Sequence, residues 1–194
     1  MKIALTGGIA CGKSLFAKFL KELGIRLVDA DDIVHELEAP GGNAVRPIAA
    51  RFGDGVLAPD GGIDRGALAA LVFSDPVARA DLEAILLPVV RARLSADSGN
   101  ALTIHVIPLL FESHWESDYD TIVCIASPVG LQIDRMVRTR GYTRRHAEAR
   151  LAAQLPVAEK IARSDYTVMN DSTPEHLKDE ARKLVAWLKG RDRT

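Results

Sequence analysis

Eight residues near the start of the chain, Gly7-Gly8-Ile9-Ala10-Cys11-Gly12-Lys13-Ser14, fit the phosphate-binding pattern G-x-x-x-x-G-K-[ST]. The chemistry this spacing serves is the capture of a polyphosphate. Glycines let successive backbone N–H groups converge on one anion without Cβ atoms in the way. A helix opening at Lys13 adds its unpaired N–H groups and the positive end of its dipole. Lys13 then reaches the outer phosphates as a point charge, and the Ser14 hydroxyl is placed to coordinate Mg²⁺. A dinucleotide fingerprint fails, because G-x-G-x-x-G needs glycine where Ile9 stands. An ordinary glycine-rich turn between strand and helix does not call for Lys-Ser at the helix start.

Two further clusters could act on such a phosphate chain. Val28-Asp29-Ala30-Asp31-Asp32 puts carboxylates at the end of an apolar run. A carboxylate there can accept the proton of an attacking hydroxyl and orient it, or hold Mg²⁺. The competing reading is a helix N-cap at Asp29 or Asp31. If the strand continued through both, their side chains would point to opposite faces, and each reading could hold for a different residue. The second cluster is Arg135, Arg138, Arg140, Arg144, Arg145 and Arg150, broken by Gly141 and by Thr143 as an N-cap. An arginine-bearing lid that closes on a transferring phosphoryl group contributes about 10³- to 10⁵-fold in rate. A solvated helix face and a nucleic-acid patch are the alternatives. The five histidines lack the spacing of a metal site, and His105 in an apolar run reads as a packed core residue.

These groups need a scaffold that brings them to one edge. Ile3-Ala4-Leu5 reads as a buried strand, residues 13–23 as a helix, Gly24 as its C′ residue and residues 25–28 as a second strand. Residues 102–107, 121–125 and 166–169 are short, apolar and rich in β-branched types, with helical patterns between them. That alternation predicts an α/β fold, a five-stranded parallel sheet wrapped by helices, with ligands at the carboxyl edge. Residues 39–100 form a long insertion with a turn at 58–62 and a helix over 75–96, its apolar face at Leu82, Ile85, Leu86, Val89, Val90 and Leu94. It is either a packed crossover or a lobe that binds substrate.

Composition narrows the classes. The chain has 194 residues, 47% of them apolar, enough for one sizeable core. With 25 basic and 26 acidic side chains, a formal charge of −1 gives no global pull toward nucleic acid or an anionic membrane. The two cysteines, Cys11 and Cys124, offer neither a disulfide framework nor a C-x-x-C metal pattern. Met1-Lys2 leads straight into a strand with no signal-type apolar core and no stretch long enough to span a bilayer, so the expectation is a cytoplasmic protein. A thiolate at Cys11, close to a helix N-terminus, would be reactive, and its oxidation would block the phosphate site.

The ordered set of motifs resembles one family across nearly the whole chain, the dephospho-CoA kinases. The resemblance rests on Leu5-Thr6-Gly7-Gly8-Ile9 with Gly12-Lys13-Ser14, Val28-Asp29-Ala30-Asp31, Pro40-Gly41, Phe52-Gly53, Asp64-Arg65 and Val72-Phe73. It continues through Leu82-Glu83, Pro88, Val90-Arg91, Pro108-Leu109-Leu110-Phe111-Glu112, Gln132, Arg135, Gln154, Lys160 and Asn170. It implies a P-loop kinase core, residues 1–38 and 101–194, with a helical acceptor lobe at 39–100 and a lid at 135–153. The implied activity is ATP-dependent phosphorylation of the ribose 3′-hydroxyl of dephospho-CoA, the last step of coenzyme A synthesis. Gly8, Ile9, Ala10, Cys11, Gly12, Lys13, Ser14 and Leu15 match the family's ATP site, with Mg²⁺ on Ser14 and Asn170 near the adenine. Asp31 matches its general base. Asp64, Arg65, Phe73, Leu82 and Glu83 match the acceptor lobe, and Pro108, Leu109 and Glu112 line the acceptor pocket. The family's lid arginine falls on Thr139, between Arg138 and Arg140. The chain also departs at Ala10, Cys11 and Leu15, where Gly, Ser and Thr are usual, and at Leu87 and His35, where His and Arg are common. A small-molecule substrate, no nucleic acid, no membrane and a monomer complete the expectation. A nucleoside or nucleotide kinase and a nucleotide-dependent switch or RNA-binding protein remain the alternatives; against a GTPase, no N-K-x-D segment is present.

Overall fold

The computed structural model describes residues 1–73, 75–97 and 102–191, so the last residues of the lobe expected at 39–100 fall outside the described set. The chain divides into two units, residues 1–28 with 99–194 and residues 29–98.

The first unit is built on the sheet. β1 (Ile3–Gly7), β2 (Arg26–Asp29), β3 (Thr103–Val106), β4 (Thr121–Ala126) and β5 (Tyr166–Met169) lie in the order β2-β3-β1-β4-β5. β1 pairs in parallel with β3, Ile3 opposite Ile104, and with β4, Leu5 opposite Val123. All residues of β1 and β4 are buried, as central parallel strands covered on both faces must be. α1 (Lys13–Glu22) and α9 (Pro174–Arg191) pack together, and Phe16, Leu20, Leu177 and Leu184 join Leu5 and Val123 in the main core. The second strand starts one residue later than the sequence predicts, for a local reason. Gly24, at φ 80°, closes α1 with its N–H on Lys21 O, and Ile25 donates to Leu20 O, so Ile25 caps the helix instead of joining the ladder. β4 leads into α6 (Val129–Arg140), α7 (Arg144–Ala152) and α8 (Val157–Ala162) before the chain returns to β5.

The second unit is helical. α2 (Ala30–Glu38), α3 (Val45–Phe52) and α4 (Arg65–Phe73) each pack on the long α5 (Pro76–Ala96). Asp75 caps α5 by accepting from Val77 N at 2.8 Å and Ala78 N at 3.1 Å. Ala78, Leu86, Val90 and Leu94 are its buried positions, whereas Val89, predicted on that face, is exposed. The four-residue stripe 86, 90, 94 carries the packing, which turns 89 away.

Candidate active site

The phosphate loop runs from the last residue of β1 to the first of α1, and long-range packing holds it in shape. Gly12, at φ 88°, is the αL residue before α1; a Cβ there would meet the Asn170 amide. A Cβ on Gly7 would strike the Ile125 carbonyl of β4. Ala10 stands at φ 56°, a left-handed conformation that an alanine adopts only under constraint. The constraint is a polar knot beneath the loop. Asn170, 6% exposed, donates Nδ2–H to Cys11 O at 2.9 Å, and the buried Ser127 hydroxyl donates to Asn170 O at 2.7 Å. The Arg135 guanidinium donates to Ser127 Oγ at 2.8 Å, Asn170 O at 3.0 Å and Ala10 O at 3.3 Å. Loop carbonyls are thus occupied from below. Lys13 Nζ donates to Gly7 O at 3.2 Å, and Ser14 and Leu15 are exposed at the first turn of α1. Such a turn, with a lysine and an exposed hydroxyl, suits a polyphosphate and its metal.

Cys11 faces inward. It is fully buried, and burial raises its thiol above the ordinary value against the smaller pull of Lys13. Burial, with Cys11 as a neighbour, likewise pushes Cys124 up to about 11. Burial thus works against the reactive thiolate expected from the nearby helix N-terminus.

In the second unit the two aspartates separate. β2 ends at Asp29, so the strand does not continue through Asp31 and the N-cap reading applies. Asp29 is the N-cap of α2, its Oδ1 accepting from Asp31 N at 2.9 Å, while the Asp31 side chain is exposed in the first helical turn. Asp64 caps α4 through Gly66 N at 2.9 Å and Ala67 N at 3.0 Å. Arg65 places Nε 2.9 Å from Glu38 Oε2 and Nη1 against His35 Nε2. Glu38 is buried, and that burial raises its carboxyl above the usual range, partly countered by Arg65 and His35. Phe73 is 68% exposed at the end of α4; Leu82 is half-buried and Glu83 exposed on α5.

In the first unit, the segment after β3 carries Pro108, Leu109 and Glu112. Leu109 is exposed, whereas Glu112 Oε1 takes the fully buried Lys160 ammonium at 2.7 Å and Leu155 N at 3.1 Å. Lys160 also donates to Pro108 O at 3.2 Å, so one buried cation ties this segment to α8. Arg138 and Arg140 are exposed at the end of α6, and Thr139 between them donates its hydroxyl to Arg135 O at 2.6 Å. Gly141, at φ 65°, ends α6, and the Thr143 hydroxyl caps α7 at His146 N. Ile133, Met136 and Ala147 pack with Ile9, Ala10 and Leu151, joining both helices to the loop. Arg135, grouped with the lid arginines by sequence, is bonded to the loop at Ala10 O. Ser127 carries one signal in the sequence, a hydroxyl two residues past the strand predicted over 121–125, at the edge where ligands bind. Among the described residues no group of three or more His, Cys, Asp or Glu could hold a metal, and no helix is long and apolar enough to cross a membrane.

A family model described as dephospho-CoA kinase matches residues 1–176. A dephospho-CoA kinase of Anaeromyxobacter dehalogenans is 47% identical, the match covering 97% of this chain and 92% of that protein. One from Geobacillus kaustophilus is 39% identical, with 97% and 96% covered. Among solved structures, TT1252 from Thermus thermophilus superposes with a TM-score of 0.82 at 32% identity, covering 97% of both chains. The dephospho-CoA kinase of Campylobacter jejuni gives 0.66 at 25%, covering 95% of both. Shikimate kinase from Acinetobacter baumannii, at 18% identity and a TM-score of 0.57 over 98% of this chain and 93% of that one, shares the fold.

Proposed function

The chain belongs to the dephospho-CoA kinase family and phosphorylates dephospho-CoA with ATP in coenzyme A synthesis, and from that premise we propose how its residues divide the reaction. The loop amides and the α1 N-terminus bind the ATP phosphates, and Lys13 neutralises charge on the group in transfer. The exposed Ser14 hydroxyl would hold Mg²⁺. An ion bound there would supply positive charge to offset the negative charge of the phosphates in transfer. Asp31 accepts a hydrogen bond from the ribose 3′-hydroxyl of the acceptor, aligns it with the γ-phosphorus and takes its proton. Because the transition state is largely dissociative, alignment contributes more than basicity. Arg138 and Arg140 bring lid charge to the equatorial oxygens. Asp64, Arg65, Phe73, Leu82 and Glu83 serve the acceptor lobe, Pro108, Leu109 and Glu112 the acceptor pocket, and Asn170 the adenine end of ATP. The lobe is residues 39–100, the lid 135–153, and the enzyme acts as a cytoplasmic monomer without nucleic acid.

The observation that carries this reading is the phosphate loop itself: the Ala10 and Cys11 carbonyls are bonded from beneath by Arg135 and Asn170, while Lys13 and Ser14 open the helix. The test is ADP release from ATP and Mg²⁺ with dephospho-CoA, beside adenosine, AMP and no acceptor. Turnover restricted to dephospho-CoA, with CoA as product, is the expected result. Turnover with adenosine or AMP instead would move the acceptor assignment to a nucleoside or nucleotide.

A further inference from the structure

Asp31, His35 and Glu38 follow one another along α2 at spacings of four and three residues, so all three stand on one face of the helix. Arg65, the first residue of α4, lies along that face. Its Nε is 2.9 Å from Glu38 Oε2, and its Nη1 meets His35 Nε2. Glu38 is buried while Arg65 and His35 are exposed, so the carboxylate anchors the guanidinium from inside and the guanidinium in turn holds the imidazole. A guanidinium has donors only, and the ring nitrogen that meets it must offer a lone pair. His35 is therefore neutral in this arrangement, with its single proton on Nδ1. Side chains on a helix lean toward the preceding turn, which sets the imidazole over the turn that carries Asp31. One donor remains on the ring, one turn from a carboxylate.

We propose that His35 is a positioning residue for the phosphoryl transfer: it donates Nδ1–H to one carboxylate oxygen of Asp31 and so turns the other oxygen toward the acceptor hydroxyl. The inference rests on the reading of Asp31 as the base and deepens it. Arg65 and Glu38 complete the chain of contacts by keeping the ring in the one tautomer that can donate at Nδ1. An aspartate on an exposed first turn is free to swing, and alignment is what a loose transition state asks of it. During transfer the acceptor O–H bond breaks as its oxygen bonds to the γ-phosphorus and ADP leaves. The released proton goes to the oxygen of Asp31 that His35 leaves open, and the Nδ1 proton stays on the ring. The arrangement is this chain's own, because arginine, the family's common residue at position 35, offers Arg65 no acceptor. Asp32, three residues before His35 and also exposed, is the competing carboxylate.

The test is a double-mutant cycle read in kcat and KM with ATP and dephospho-CoA. His35 is exposed, so its variants keep the core. His35→Ala is expected to lower kcat by about 10- to 100-fold, the loss of one hydrogen bond to a charged group, with both KM values within about threefold of the wild type. His35→Asn puts an amide N–H where Nδ1 stood and is expected to recover kcat to within about fivefold of the wild type. In an Asp31→Asn background, His35→Ala is expected to change kcat by less than about twofold, because the group it acts through is gone. In an Asp32→Asn background the full loss persists. Normal kcat in His35→Ala, a change confined to KM, or His35→Asn as slow as His35→Ala overturns the proposal. So does an equal loss with and without the Asp31 carboxylate, or a loss that Asp32→Asn abolishes. Asp31→Asn with His35 intact is the separate check: near-normal turnover there overturns the base and the proposal together, whereas a deep loss beside a normal His35→Ala overturns the proposal alone.

Discussion

Cys11 sits in the middle of the phosphate loop with its thiol turned into the core, so its chemistry is set by burial more than by the helix end beside it. Thiol-modifying reagents at neutral pH are expected to leave turnover unchanged and to label Cys11 only after denaturation; inactivation prevented by ATP would contradict this. Cys124 makes the same physics visible in stability. Its folded value, about 11, lies above the ordinary 9.0, so its contribution is complete below pH 9 and is lost as pH rises toward 11. That difference corresponds to about 2–3 kcal/mol. Denaturant titrations at pH 8 and pH 11 should show a shallower alkaline loss in Cys124→Ala than in the wild type. Asp31 is the residue whose test bears on the chemistry. Asp31→Asn is expected to lower kcat by about 10²- to 10⁴-fold with the fold retained, and near-normal turnover would remove it as the base. The sequence placed carboxylates at the end of β2 but left Asp29 and Asp31 open. Their separation depends on where the strand stops, which the helix cap at Asp29 decides.

At the scale of elements, the phosphate loop and the knot beneath it form one device. Arg135→Ala would leave Ala10 O, Ser127 Oγ and Asn170 O without that donor. A buried acceptor left short costs about 1–3 kcal/mol, so the ATP KM should rise about tenfold or more while the dephospho-CoA KM stays within about twofold. Equal rises in both would mean that Arg135 supports the fold at large. Ala10 offers the opposite experiment. Its φ of 56° is costly for alanine, and glycine removes that cost while giving the unfolded chain more freedom. Ala10→Gly is expected to stabilise by about 0.5–1 kcal/mol, read as a higher denaturant midpoint. Strand and helix existence were legible from apolar runs and from Gly24, because those signals lie within a few residues of what they control. The knot was not, since its partners lie up to 159 residues apart.

Over the whole molecule, the two units offer separate handles, the phosphate loop in residues 1–28 with 99–194 and Asp31 with the helical lobe in residues 29–98. ATP bound by the loop should stabilise the folded chain by about 2.7 kcal/mol at a hundred times its Kd, a rise in Tm of about 5–10 °C. Differential scanning calorimetry of Lys13→Ala should show that rise greatly reduced; an unchanged rise would move the ATP site away from the loop. The amino-acid sequence by itself determined the phosphate loop, the parallel α/β architecture, the family and the acceptor class. Those rest on short spacings, apolar periodicity and ordered motifs, each complete within a local stretch of chain. The tertiary structure alone decided that Arg135 bonds to the loop while Arg138 and Arg140 remain exposed, that Asn170 grips Cys11, that Lys160 pairs with Glu112 and that Cys11 is buried. The physical reason is that hydrogen bonding and desolvation depend on which distant residues the packed core brings together, and side-chain type along the chain does not specify that.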